Sequence, residues 1–289
     1  RLVSLRAGFI GLGNIGMPMA KRLVAAGLAT TVYDLVGART AELVAHGAAA
    51  ATSPRDLAAR SDTVSVCVRD DAEVRAVVFG EDGILAGAAP GTVVAVHGTV
   101  QLETVLALGD AVRARGLGIV DACVTGGAAG AAAGTLTTMV GGAPADVQKV
   151  RPVLAAFSKT VVPTGALGTG TMVKLCNNLM GYLAWTAAFE GLTLARAAGI
   201  PDDVFETVTR AGGHLTEPMR NFLATRKLPD AARRNPDLQA RLRGFVEIAE
   251  KDLAAALALA RAHEVALPGT ALCAQIMGRV YGVDDVRRP

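Results

Sequence analysis

The chain has no marked excess of either charge: 29 Lys and Arg face 26 Asp and Glu, a formal net charge of +3. That balance falls far short of the basic excess of a nucleic-acid binder. Charged residues are scarce at 19% while apolar residues make up 51%, which excludes a disordered chain. Cys67, Cys123, Cys176 and Cys273 include no C-x-x-C pair, and His46, His97, His214 and His263 share no metal-ligand spacing. No dedicated metal is expected, and the thiols read as reduced and cytosolic. The longest nearly uncharged stretch, residues 175–189, contains two Asn and is bounded by Lys174 and Glu190, shorter than the ~18 residues a spanning helix needs. Ahead of residue 11 there is no succession of charged segment, apolar segment and cleavage site. The expectation is a soluble cytoplasmic protein with neither membrane nor nucleic acid as partner.

Glycine, by contrast, is abundant, 33 of 289 residues against a usual share of ~7%, with no collagen-like period. Three clusters stand out, at residues 11–16, 126–134 and 165–170. At roughly 150 residues per domain the length predicts two domains. Up to residue 163, strand-like runs (7–10, 30–33, 63–68, 92–96, 118–121, 136–140 and 160–162) alternate with helical patterns (16–26, 37–46, 71–78, 102–115 and 144–157). Such alternation predicts a Rossmann-type α/β fold, a doubly wound, mostly parallel sheet. Strand signals stop after the third cluster. Residues 171–198 contain no helix breaker and predict a helix of roughly 28 residues, about 42 Å long. Asn235-Pro236 opens a second long helix to about His263, and Pro268 opens a last one. The expected division is an α/β domain over residues 1–165, whose glycine clusters bear on ligand binding, and an all-helical domain over residues 166–289. The tail, residues 284–289, is expected to fray.

The first cluster, Gly11-Leu12-Gly13-Asn14-Ile15-Gly16, follows the first strand and opens the first helix. In that setting Gly11 permits a tight turn, Gly13 lets the backbone approach a pyrophosphate, and Gly16 allows close helix–strand packing. The helix start supplies amide donors and a positive dipole end. Asp34 closes the second strand, where a carboxylate accepts the two hydroxyls of an adenosine ribose and repels a 2′-phosphate. This predicts NAD, while Arg39 in the following helix leaves NADP open. The second cluster lies at the carboxyl edge where ligands bind open α/β sheets. Thr125 with the amides of Gly126 and Gly127 reads either as an anion nest for a carboxylate or as a flexible small-residue loop. The third cluster leads to Lys174 and Asn178, which share one face of the long helix near its start. A lysine opposes the dipole there. It is either a snorkelling surface side chain or one kept for proton exchange, its pKa lowered by burial and by the helix terminus.

Together these motifs resemble the β-hydroxyacid dehydrogenase family, which includes 3-hydroxyisobutyrate dehydrogenase and tartronate semialdehyde reductase. Residues 9–19 resemble its cofactor motif, residues 121–136 its substrate motif and residues 168–178 its catalytic motif. Lys251-Asp252-Leu253 resembles its late Lys-Asp-Leu element. The resemblance spans essentially the whole chain. It implies reversible hydride transfer between NAD, or NADP, and a small 3-hydroxy acid such as hydroxyisobutyrate or glycerate. Lys174 is then the acid/base, and Asn178, Thr125, Gly126 and Gly127 hold the substrate. Gly11, Leu12, Gly13, Asn14, Ile15, Gly16, Asp34 and Val68 meet the cofactor, Thr99 touches the nicotinamide ribose, and Lys251 reaches back toward the cofactor. The long apolar helix should bury surface against another subunit, so a homodimer or homotetramer is expected, with the active site in a cleft between the domains.

Three stretches depart from the family pattern. Cys123 and Thr125 replace the proline and serine of Asp-Ala-Pro-Val-Ser-Gly-Gly, with the hydroxyl retained at 125. Val96-His97-Gly98-Thr99 stands where Asp-x-Ser-Thr is common, leaving His97 as either a second proton carrier or a hydrogen-bonded loop residue. Val68-Arg69-Asp70 stands where Leu-Pro-Asp is usual. Arg220, Arg226, Lys227, Arg233, Arg234, Arg241 and Arg243 read as a solvated face. Among competing readings, an imine reductase-like enzyme generally lacks the lysine, and a 6-phosphogluconate dehydrogenase carries Lys-x-x-His-Asn where this chain has Lys174-Leu-Cys-Asn177-Asn178. A non-catalytic NAD(P)-binding sensor on the same fold has no need of both Lys174 and Lys251.

Overall fold

The computed structural model describes residues 5–283, so the expectation for residues 284–289 lies outside it. Short runs rich in Val, Thr and Ala form β1 (Arg6–Ile10), β2 (Ala29–Tyr33), β3 (Ala49–Ala50), β4 (Thr63–Val66), β5 (Val93–Val96), β6 (Gly118–Thr125), β7 (Leu136–Gly142) and β8 (Ser158–Gly165). They make one eight-stranded sheet in the order β3-β2-β1-β4-β5-β6-β7-β8. Every pairing is parallel except β6 with β7. This is the doubly wound, mostly parallel sheet that the alternation predicts. β4 and β5 are buried along their whole length, as expected of strands covered on both faces.

The strands alternate with α1 (Gly16–Ala25), α2 (Gly37–Val44), α3 (Pro54–Ala59), α4 (Asp71–Phe79), α5 (Ile84–Gly87), α6 (Leu102–Ala114), α7 (Gly127–Ala133) and α8 (Pro144–Phe157). Caps fix several starts: Ser53 Oγ accepts from the Asp56 N–H, and Asp70 Oδ1 from the Glu73 N–H, each worth about 1 kcal/mol. One core joins Phe9, Met19, Leu23 and Val120 to Val150, Leu154 and Phe157. Ile10, Val64, Val66 and Val94 make another with Leu57, Val74, Leu108 and Val112. Along β5, Val93 and Ala95 enter the first core and Val94 and Val96 the second, as a period of two requires.

From residue 169 onward the described elements are helical: α9 (Thr169–Ala197), α10 (Asp202–Ala211), α11 (Glu217–Ala224), α12 (Asp230–Arg233), α13 (Pro236–Ala262) and α14 (Pro268–Tyr281), with one 3-10 turn at Thr225–Lys227. Asn235 Oδ1 caps α13 by accepting from the Asp237 and Leu238 N–H groups. Two compact units part inside α9, between Lys174 and Leu175. The core of the second is built by Tyr182, Leu242, Val246, Leu253, Cys273 and Met277. Its basic residues are not all on a solvated face. The Arg226 guanidinium lies 4.8 Å from the centre of the Phe189 ring, and Lys227 pairs with Glu206. No helix among the described residues is long and apolar enough to cross a membrane.

Candidate active site

In the strand order, β1 is followed outward by β2 and β3 before the chain crosses to β4, so a topological switch lies between β1 and β4. Ligands of such sheets bind beyond the carboxyl ends of the strands at that point. The loops there are drawn tightly together. Gly11, with φ +91°, leaves β1 in a conformation that favours glycine, and a Cβ on it would meet the Cys67 carbonyl oxygen at 2.4 Å. Gly16 lies so close to the same turn that a Cβ would fall 1.9 Å from the Gly11 oxygen. Gly13 has no atom within 4 Å of where its Cβ would stand, and no side chain caps the start of α1. Bare backbone ahead of an uncapped helix start fits a dinucleotide pyrophosphate. Leu12 is buried in the core beneath the loop, whereas Asn14 is exposed and Ile15 half-buried.

Asp34, just past β2, reaches back to this loop. Its Oδ2 accepts from the Leu12 N–H at 2.6 Å, and its Oδ1 accepts from the Val36 N–H at 2.8 Å and from Arg39 Nη1 at 3.3 Å. The carboxylate is therefore fixed against the glycine turn, and Arg39 is folded onto it.

The next two loops carry Val68 and Thr99. Val68 is half-buried against the core that contains Ile10. Arg69 is occupied locally: its Nη2 donates to Glu73 Oε1 at 3.2 Å and its N–H to Glu73 Oε2 at 3.0 Å. His97 is only 4% exposed and lies directly beyond β5. Its Nδ1 is 2.8 Å from the Ala122 carbonyl. A carbonyl only accepts, so Nδ1 carries the proton and Nε2 accepts from Ser65 Oγ at 3.0 Å. The ring stacks on Phe9 and stands edge-on to Phe157. Burial lowers its pKa to about 4. A neutral imidazole with both nitrogens engaged is a tie between β4, β5 and β6, not a second proton carrier. Thr99, two residues on, is half-buried.

β6 extends to Thr125, further than the expected end at residue 121, because it pairs antiparallel with β7 through Thr125↔Thr137. Thr125 is half-buried, and Gly126 (φ +124°) and Gly127 (φ +66°) turn the chain into α7. The stretch left open as a flexible loop is thus a short helix of glycine and alanine. At the middle of the strand, buried Asp121 accepts from the Gly168 and Thr171 N–H groups at the start of α9. Lys174 follows within the first turns of that helix and is half-buried.

In the second unit, Asn178 Nδ2 donates to Asp252 Oδ2 at 2.7 Å, Tyr182 Oη donates to the same oxygen at 3.0 Å, and Lys251 Nζ donates to Oδ1 at 2.9 Å. The neighbouring carboxylate and burial both push the Tyr182 phenol pKa up, burial more, so it stays a donor. Asp252 organises two of the expected site residues, yet the sequence reading assigned neither it nor Asp121 a role. For Asp121 the available signal is an acid within an apolar run, between Val120 and Ala122; Asp252 follows Glu250 and Lys251, so its neighbours give no such signal.

With this geometry in place, comparison with known proteins is decisive. Residues 6–166 match the sequence profile of the NAD binding domain of 6-phosphogluconate dehydrogenase, and residues 168–284 that of the NAD-binding region of NADP-dependent 3-hydroxyisobutyrate dehydrogenase. The chain belongs to the β-hydroxyacid dehydrogenase family. It is accordingly an NAD(P)-dependent oxidoreductase of the hydroxyacid dehydrogenase class. It is 39% identical over 208 residues to an NAD-dependent L-serine dehydrogenase of Pseudomonas aeruginosa, covering 71% of this chain and 70% of that protein. A 2-(hydroxymethyl)glutarate dehydrogenase of Eubacterium barkeri is 32% identical over 97% of this chain and 91% of its own length. Among solved structures, a 3-hydroxyisobutyrate dehydrogenase from Salmonella typhimurium superposes with a TM-score of 0.83 at 31% identity, covering 96% of this chain and 94% of that one.

Proposed function

We propose that the chain reversibly oxidises a small 3-hydroxy acid, of the hydroxyisobutyrate, serine or glycerate type, with NAD as cofactor and Lys174 as the acid/base. The observation that carries this reading is a conjunction within the first unit: the Asp34 carboxylate sits on the bare glycine loop, and Lys174 follows an α9 start held by a buried acid. Bound NAD supplies a nicotinamide ring that takes up or returns a hydride. The residues around it do the rest. Asp34 accepts the adenosine ribose hydroxyls and repels a 2′-phosphate, and Arg39, folded onto Asp34, is partly neutralised as a phosphate ligand. The Thr125 hydroxyl and the Gly126 and Gly127 N–H groups hold the substrate carboxylate. Neutral Lys174 Nζ accepts the hydroxyl proton during oxidation, and its ammonium donates one during reduction. Asn178, whose Nδ2 is committed to Asp252, presents Oδ1 as an acceptor one turn along the helix from Lys174.

The testing experiment is a panel of hydroxy acids assayed with NAD and NADP in parallel. Oxidation of one or more 3-hydroxy acids, faster with NAD, is expected; binding of NADH with no turnover of any panel member would instead mark a sensor. We also infer that a second copy of the chain covers α9, where Met180 and Leu194 are 69% and 72% exposed. Light scattering at micromolar concentration should report a dimer or larger species, and a monomer contradicts the inference.

A further inference from the structure

Asp121 has no exposed surface, and burying a carboxylate is costly unless hydrogen bonds replace its water. Those bonds come from the start of α9: the Gly168 N–H donates to Oδ1 at 2.8 Å and the Thr171 N–H to Oδ2 at 2.6 Å. A hydrogen bond from the Thr171 side chain adds to them. The surrounding backbone is shaped to the carboxylate. A Cβ on Gly141 would stand 2.6 Å from Oδ1, and one on Gly170 would stand 3.0 Å from Oδ2 and 2.8 Å from the Asp121 carbonyl oxygen. Two residues along β6, Cys123 Sγ lies 3.8 Å from Thr171 Oγ1 and 3.8 Å from the Gly98 carbonyl. Between them, the Ala122 carbonyl accepts from His97. Three successive residues of β6 therefore grip the first turn of the helix that carries Lys174 and the loop that carries Thr99.

We propose that Asp121 is a positioning residue for proton transfer: by anchoring the start of α9 it sets where Lys174 stands relative to the Thr99 loop. This rests on the reading of Lys174 as the acid/base. The two N–H donors fall on separate oxygens, a demand that a carboxylate meets and an amide does not. In Asp121→Asn the side-chain NH2 faces a backbone N–H, donor against donor, and the helix start must shift.

The experiment compares Asp121→Asn, Thr171→Val and Lys174→Ala in oxidation of 3-hydroxyisobutyrate and L-serine, with NADH affinity followed by calorimetry. In Asp121→Asn, kcat is expected to fall about 100-fold, the scale of a misplacement of roughly 1 Å, with NADH affinity and substrate KM little changed. Substrate deuterated at C3 should give a larger isotope effect on kcat than with the wild-type chain, because the chemical step becomes limiting. Thr171→Val removes one hydroxyl at nearly constant volume; it should lower kcat about tenfold, the lower end of the scale for losing one hydrogen bond to a charged group, and it carries the test if Asp121→Asn does not fold. Wild-type kcat in a folded Asp121→Asn, or in Thr171→Val if the first variant does not fold, overturns the proposal. If Lys174→Ala is itself active, the acid/base assignment falls and this inference falls with it. If Lys174→Ala is inactive and Asp121→Asn is fully active, only the positioning role is lost.

Discussion

Lys174 makes the sharpest demand on experiment. Lys174→Ala should leave NADH binding near wild type while lowering kcat by on the order of 10³-fold, the usual worth of a positioned acid/base. Calorimetry with NADH and a 340 nm turnover assay check the two halves separately, and near-normal turnover removes the lysine from the mechanism. Asp252 tests the opposite arrangement, a residue that acts by holding others. Its carboxylate collects Asn178, Tyr182 and Lys251, so Asp252→Ala takes a shared acceptor from three donors at once. Hydrogen bonds to a charged group are worth about 1.5–3 kcal/mol each at best, and a loss of about 2–3 kcal/mol in urea unfolding is expected. A change below a few tenths of that size contradicts the buried network.

Where β1 turns into α1, a single methyl group is the relevant perturbation. The 1.9 Å approach of a Gly16 Cβ to the Gly11 oxygen means that Gly16→Ala must pry the helix off the turn. The variant should lose about 1–3 kcal/mol of stability through overpacking and bind NADH at least tenfold more weakly, since the loop that cradles the pyrophosphate moves with it. Thermal unfolding and calorimetry measure both. This turn was legible in the sequence because strand, glycines, helix and acid all lie within one short segment. β1, β4 and β5 were legible for a related reason: their side chains are largely apolar and the local pattern is the whole signal. β3 spans only Ala49–Ala50, too short to stand out. α7 is only glycine and alanine, Gly127–Ala133, with no polar face to reveal a helical period. The role of Asp121 was hidden for a different reason. Its partners lie 47 and 50 residues further on, and no local spacing encodes a contact of that range. His97 stays open in the sequence between a second proton carrier and a hydrogen-bonded loop residue, because its neighbours Val96 and Gly98 give no sign that two other strands supply both hydrogen-bond partners.

For the molecule as a whole, His97 sets a term in acid stability. The unfolded imidazole takes up a proton near its ordinary pKa of 6.5, whereas burial delays protonation of the folded form to about 4. Between those values the unfolded state binds more protons, so stability falls as pH falls through this window, by about 3 kcal/mol in all. Burial raises the pKa of Asp121 above its ordinary 3.8, which contributes with the opposite sign as pH falls through the raised value. Replacing His97 with Gln should flatten the pH 4 to 6.5 part of the stability curve relative to wild type, measured by urea unfolding across that range; an unchanged slope excludes His97 as its source. The second unit offers a way to watch such changes without labels. Trp185 is the only tryptophan in the chain, and its indole stands 5.4 Å from the Tyr182 ring and stacks on Phe222. The Tyr182 hydroxyl in turn bonds to Asp252, which also holds Asn178 and Lys251. The chain thus carries its one indole two contacts from that carboxylate, and the indole emission should respond when Asn178 or Lys251 changes partner.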